Sequence, residues 1–218
     1  SSWRSSSPYR VRIALALKGV PYAYRAVNLL RDGGGEQLAP DYLALNPQGR
    51  VPLLVDGDFR IGQSLAIMEY LDARYPQPPL IPADAQLRAR MWAFCLAIAA
   101  DTQPLQNLGV FLRLKQEFQA SEEQRTLWAR HWIERGLGVL EQECGAELRD
   151  AAYVFGKAPT LADCVLVPQV YNAERYGCDT GRFPNLYALA CRLRELPAFA
   201  AAHPDRQPDA LGVAPSRQ

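Results

Sequence analysis

Apolar and polar positions change period often in the first third of the chain and settle into helical spacing after it. Arg10 to Lys18 (RVRIALALK) puts Val11, Ala14 and Leu15 on one face of a helix that Gly19 closes. Ser7-Pro8 in front of it predicts a hydroxyl cap followed by proline at the first helical position. Ala23 to Leu29 reads as a short strand, and Asp32-Gly33-Gly34-Gly35 as a loose connection. Val51 to Val55 and Asp58 to Ile61 flank Asp56-Gly57, a preferred tight-turn pair, and predict a β-hairpin. Ser64 opens a further helix with the stripe Leu65, Met68, Leu71 and Tyr75, and Pro76, Pro78, Pro79 and Pro82 follow. An α/β module over residues 1–76 and a linker over 77–86 are therefore predicted.

The rest is helical. Met91, Phe94, Cys95 and Ile98 form one stripe, and Ile133, Leu137, Leu140 and Cys144 another. Thr160-Leu-Ala-Asp163 has the form of a capping box before the apolar run Val165 to Val167, and Pro168 predicts a kink. An all-α domain over 87–203 results, with an extended Pro-, Asp- and Gln-rich tail over 204–218.

Composition narrows the class. With 218 residues, 49% hydrophobic and 22% charged, the chain can bury a proper core and is not a disordered protein. A net charge of +1 gives no footprint for nucleic acid or an acidic membrane. No run approaches the roughly 18 apolar residues of a membrane span. The start, without an initiator Met or an apolar signal core, points to a processed or trimmed terminus. Five scattered Cys with no CxxC pair suggest neither a disulfide framework nor a zinc cluster, hence a reducing, cytoplasmic setting and no metal. His131 and His203 have no visible nucleophile or metal companion, so Ser–His–Asp hydrolysis is disfavoured.

Three features carry possible chemistry. Arg4-Ser5-Ser6-Ser7-Pro8 sets hydroxyls at a helix N-terminus, where free N–H groups and the helix dipole stabilise an anion such as a thiolate. Capping alone accounts for Ser7; Ser5 and Ser6 are surplus to it. Val51-Pro52 lacks a ladder donor and is a candidate cis bond, which leaves the Val51 backbone to pair with a ligand, although a plain strand start reads the same way. Gln63-Ser64 opens a helix on which a carboxylate can dock; capping explains Ser64 but not Gln63. Arg10 and Arg12 read as solvated cations.

In order, these features resemble the zeta-class glutathione transferases, the maleylacetoacetate isomerases. The likeness runs from Arg4-Ser-Ser-Ser-Pro-Tyr-Arg-Val-Arg-Ile-Ala-Leu-Ala-Leu-Lys-Gly19 through Ala44-Leu-Asn-Pro-Gln-Gly-Arg-Val-Pro52, Gln63-Ser-Leu-Ala-Ile67 and Gln103-Pro-Leu-Gln-Asn-Leu108. It continues in Thr160-Leu-Ala-Asp163, Leu166-Val-Pro-Gln169, Asn172-Ala-Glu-Arg175 and His203-Pro-Asp-Arg-Gln-Pro-Asp209, and so spans essentially the whole chain.

The resemblance implies a thioredoxin-like N-terminal α/β domain, an all-α C-terminal domain, a homodimer, and a chain that begins inside or just after the first strand. It implies that Ser5 activates the thiol of glutathione, with Ser6 beside it. Val51 would pair through its backbone with the cysteinyl part, Gln63 and Ser64 would hold the γ-glutamyl carboxylate, and Gln37, Gln103 and Asn107 would complete the glutathione site. Arg4 and Arg175 would clamp substrate carboxylates, a role that suits planar bidentate cations. One departure stands out: the family writes Cys where this chain has Ser7.

The implied activity is glutathione-dependent cis–trans isomerisation of a small unsaturated dicarboxylate, maleylacetoacetate first, in the breakdown of tyrosine and phenylalanine. Maleylpyruvate isomerisation, general glutathione conjugation and dehalogenation of α-halo acids are the alternatives. A non-catalytic binding protein that keeps the fold stands last.

Overall fold

The structure, a computed structural model, describes residues 1–31 and 35–210 and divides into two compact units. The first comprises Ser1–Pro79 together with the chain from Glu195 onward; the second is Leu80–Arg194.

In the first unit, α1 (Ser6–Leu17) starts two residues before Pro8, the predicted first helical position. Ser5, not Ser7, occupies the cap position, with φ −75° and ψ 128°. Pro8 falls in the first turn, where a missing N–H removes no helical bond. Gly19 ends the helix at φ +63°. The helix is buried on more than one face, because it packs against both α3 (Ser64–Arg74) and α9 (Pro197–Ala202). Lys18, at its end, donates to Asp72 and to the carbonyls of Tyr75 and Pro78 at 2.7 Å each, which satisfies its ammonium and fixes the end of α3.

Ala23 to Leu29 is not a strand. Among the described residues the segment makes isolated backbone bonds and no ladder: Ser1 N donates to Arg25 O at 2.9 Å, Val27 N to Ser1 O at 2.6 Å, and Glu36 N to Asn28 O at 2.8 Å. Of the expected loose connection, Asp32, Gly33 and Gly34 lie outside the described residues. The hairpin is present as β1 (Leu53–Asp56) and β2 (Phe59–Gly62), with Asp56 opposite Phe59. Its two loop residues are thus Gly57 and Asp58, one later than predicted, and Gly57 takes φ +59° where a type II′ turn requires glycine. A short helix, α2 (Pro40–Leu45), precedes the hairpin.

The second unit is helical. Asp84 caps α4 (Ala85–Leu96), which passes into a π-helical turn at Ala97–Thr102 and a 3₁₀ turn at Gln103–Gln106. Then come α5 (Leu108–Phe118), α6 (Glu122–Leu148), α7 (Leu161–Arg175) and α8 (Pro184–Arg194). Both predicted stripes, Met91 to Ile98 and Ile133 to Cys144, are buried. Helix α7 is the centre of this unit, packed on α4, α6 and α8, and continues through Pro168 to Arg175. Leu80, from the expected linker, is fully buried, and its carbonyl accepts from Leu161 N at 3.0 Å. Residues 204–210, expected to trail away, instead form a 3₁₀ turn (Pro204–Arg206) and a second turn, and pack with the first unit.

Candidate active site

The segment before α1 presents the serine cluster. Ser5 makes no side-chain capping bond, and Ser6, the first helical residue, is buried. The leading N–H groups of a helix have no intrahelical acceptor, and no acidic residue in this first turn offsets the positive end of the dipole. The Ser5 carbonyl is committed, accepting from Tyr9 N at 3.1 Å. Arg4 lies over the Trp3 indole, 5.2 Å from its centroid. Ser7, with Pro8 after it, is half-buried within the first turn.

The same unit holds the other predicted residues of the N-terminal module. Val51-Pro52 is cis. The loop before it is fixed at Arg50, whose carbonyl accepts from Tyr42 Oη and Asn46 Nδ2, each at 2.7 Å. Gln63 sits at the cap position of α3 at φ +65°, ψ 110°, a left-handed conformation rare for any residue but Gly or Asn. Its Nε2 donates to Gln48 Oε1 at 2.9 Å. Ser64 is thus the first helical residue rather than the cap, and is buried. Its hydroxyl accepts from Arg10 Nη1 at 3.3 Å. Gln37 is buried in the 3₁₀ turn Glu36–Leu38, behind Gly35 at φ +98°, where a Cβ would collide with the Gln37 amide oxygen and the Leu29 carbonyl.

Arg10 and Arg12 are corrections to the sequence reading: neither is solvated, with 1% and 3% of their surface exposed. Gln48 was also missed, as the partner that orients Gln63. The available signal was an Arg-x-Arg pair inside an otherwise apolar helix closed by glycine. A cation there has little water to reach and must find polar partners in the fold.

In the second unit, Gln103 Nε2 donates to Asn107 Oδ1 at 2.5 Å across the turn that links α4 to α5. That turn is tied down by Trp128 Nε1, which donates to Leu105 O at 2.7 Å. Arg175, last residue of α7, donates through Nη1 to Asn172 Oδ1 at 3.0 Å, and Asn172 Nδ2 donates to Gln106 Oε1 at 3.2 Å. A guanidinium only donates, so it fixes which way the Asn172 amide faces, and Asn172 in turn fixes Gln106. Tyr171 and Tyr176 lie within 5.8 Å and 5.5 Å of the Arg175 guanidinium carbon.

Cys144, Cys178 and His203 do not offer a competing nucleophile or base. Burial pushes the Cys144 thiol up to about 11 and the Cys178 thiol up to about 12, so neither is a nucleophile near neutrality. His203 Nδ1 accepts from Asp205 N at 3.3 Å, and its ring packs edge-on to Tyr9. Among the described residues no group of His, Cys, Asp and Glu could hold a metal, and no helix is long and apolar enough to cross a membrane.

The glutathione S-transferase N-terminal domain matches residues 4–74, and the glutathione S-transferase C-terminal domain matches residues 106–197. A probable maleylacetoacetate isomerase of Vibrio cholerae is 48% identical over 210 residues, 95% of each chain. The chain belongs to the glutathione transferase family. Its place is in the zeta class. A holo maleylpyruvate isomerase, described as a bacterial glutathione transferase of that class, superposes with a TM-score of 0.91 at 41% identity, over 96% of this chain and 97% of the other. A maleylacetoacetate isomerase of Methylobacterium extorquens AM1, solved with bound malonate and GSH, gives 0.90 at 36% identity, over 96% and 97%. The zeta-class transferase described above therefore combines the α/β N-terminal and all-α C-terminal domains of the glutathione transferase fold.

Proposed function

We propose that this zeta-class transferase is a glutathione-dependent cis–trans isomerase whose preferred substrate is maleylacetoacetate, acting in the breakdown of tyrosine and phenylalanine. The observation that carries the reading is the anion cradle at α3. The Ser64 hydroxyl takes a hydrogen bond from the buried, donor-only guanidinium of Arg10, so its own proton is left to give to another acceptor. Beside it Gln63 is held in a costly backbone conformation by Gln48. A buried cation behind a hydroxyl at a helix start fits the γ-glutamyl carboxylate of glutathione.

Within the same unit, Val51 offers its backbone to the peptide part of the cofactor and Gln37 a further polar contact; Gln103 and Asn107 of the second unit are assigned to glutathione by the family resemblance. Bound glutathione supplies the thiolate that adds reversibly to the conjugated double bond. Ser5, with its hydroxyl unused in capping, donates to the thiol sulfur, and Ser6 and the first-turn amides of α1 add to the field that keeps the proton off. Arg4 and Arg175 hold the two substrate carboxylates. Asn172 and the flanking tyrosines steady the Arg175 guanidinium. Ser7, in place of the family Cys, lies outside these roles, and activity persists without the thiol.

We further propose a cytoplasmic homodimer. None of the five cysteines forms a disulfide, which supports a reducing compartment. Val55 and Phe59, exposed on the hairpin, support a self-association face.

The test is an absorbance assay with maleylacetoacetate and with maleylpyruvate, each with and without glutathione, while free thiol is tracked. Isomerisation that needs glutathione and leaves total thiol unchanged is expected, fastest with maleylacetoacetate. Faster turnover of maleylpyruvate would reassign the substrate. Steady thiol loss to a simple electrophile without isomerisation would move the protein to the conjugating transferases and end the case for an Arg clamp.

A further inference from the structure

The backbone that leads into Ser5 is gripped from two sides, by a remote part of the chain and by α1 itself. The Trp3 N–H donates to Asp209 Oδ2 at 3.0 Å, from the far end of the described sequence. The Trp3 carbonyl accepts from Arg12 Nη2 at 2.9 Å. Each gripping side chain is itself fixed. Asp209 Oδ1 accepts from Tyr24 Oη at 2.7 Å. Arg12 donates through Nε to Ala202 O at 3.1 Å and through Nη1 to Ser2 O and Ser1 Oγ, each at 3.4 Å, and Tyr9 lies 5.3 Å from its guanidinium carbon. With both polar groups of Trp3 held, rotation about its backbone would break a charge-assisted bond, the stronger kind of hydrogen bond.

We infer that Asp209 and Arg12 are positioning residues, which hold the Trp3–Ser5 turn so that the Ser5 hydroxyl meets the sulfur at bonding distance. The inference rests on the reading of Ser5 as the thiol-activating group. Residues 204–210 thereby acquire a role, since they deliver a carboxylate to the entrance of α1. A hydroxyl stabilises a thiolate only over a narrow range of distance and angle, and a displacement of about 1 Å in such a site costs up to about a hundredfold in rate. The grip matters most at pH values where an unaided thiol would be protonated.

The test compares Asp209→Ala, Asp209→Asn and Tyr24→Phe with Ser5→Ala in the full chain. Two readouts are used: the pH profile of kcat/KM for glutathione, and amide hydrogen exchange by NMR. In Asp209→Ala the acid limb of the profile moves to higher pH, in the direction of Ser5→Ala, with about a tenfold loss near pH 6.5. The Trp3 and Ser5 amides exchange about tenfold faster, while α6 and α7 keep their rates. Asp209→Asn, which keeps one carbonyl acceptor, shows the same changes to a smaller extent and carries the test if the alanine variant does not fold. Tyr24→Phe leaves the Trp3 bond intact and stays within about twofold. Faster exchange throughout the protein with an unmoved acid limb would overturn the proposal and leave Asp209 a purely structural residue. If Ser5→Ala moves the limb and the Asp209 variants do not, the positioning role alone falls. If Ser5→Ala does not move it, the reading of Ser5 fails and the positioning role falls with it.

Discussion

At the scale of single residues, Asp163 shows how a local motif and a remote partner combine. It has no exposed surface, and its carboxylate accepts from Thr160 N at 2.7 Å, Thr160 Oγ1 at 3.1 Å and Val154 N at 2.8 Å. These bonds pull its pKa down, but burial outweighs them and pushes the carboxyl up to about 6 from an ordinary 3.8. The folded chain therefore keeps the proton over a pH range in which the unfolded chain has lost it. Stability from this group is full below about pH 4 and is lost as pH rises through about 6, by at most about 3 kcal/mol. Asp163→Asn should flatten the slope of unfolding free energy between pH 4 and 6.5 in urea melts. Asp163→Ala should lower stability at every pH by about 2–4 kcal/mol, because three buried donors lose their acceptor. A wild-type slope equal to that of the Asn variant would show that the carboxyl titrates normally. The Thr160–Asp163 half of this arrangement is readable in the sequence because its spacing is local. The Val154 bond is not, and neither are the buried positions of Arg10 and Arg12, whose partners Ser64 and Ala202 lie 54 and 190 residues away.

Elements show a similar divide between what spacing dictates and what packing decides. The helical stripes of α4 and α6 follow from period alone. The strand expected over Ala23 to Leu29 failed because a strand needs a ladder, and among the described residues only Ser1 and, at Asn28, Glu36 pair with its backbone. Two glycines inside α6 separate the same two causes. Gly136 faces the π-helical turn so closely that a Cβ would overlap the Thr102 side chain, which is buried and donates to Ala97 O at 2.8 Å. Gly138 has no atom within 4 Å of that position. Sequence shows both only as weak helix formers. Gly136→Ala is expected to lower stability by about 1–3 kcal/mol through overpacking, and to weaken glutathione binding by displacing the turn that carries Gln103. Gly138→Ala is expected to raise stability by about 0.5–1 kcal/mol with binding unchanged. Thermal melts and calorimetric titration on the two variants check both; equal effects would show that the π turn yields freely to α6.

For the whole molecule, the first unit is discontinuous: the chain leaves it at Pro79 and returns at Glu195. Composition alone gave the opposite impression, since a Pro- and Asp-rich terminal stretch reads as a tail until Trp3 and Tyr24 are seen to hold Asp209. Family resemblance made the order of site motifs legible along the whole sequence, but it said nothing of which segment closes over α1. That segment is α9. Phe199, within it, is fully buried, its Ala202 carbonyl satisfies the buried Arg12, and His203 after it packs on Tyr9. Without it, α1 would expose Tyr9 surface and leave the Arg12 Nε–H without its Ala202 acceptor, a combination costing several kcal/mol against a typical stability of about 5–15 kcal/mol. Residues 1–79 expressed alone should accordingly show no cooperative urea transition and little near-ultraviolet circular dichroism. The same residues joined to 195–210 through a flexible linker should regain both, because the missing contacts lie within that returning segment. A cooperative transition in the 1–79 fragment by itself would mean that α1, α3 and the hairpin form a sufficient core, and that α9 only covers it.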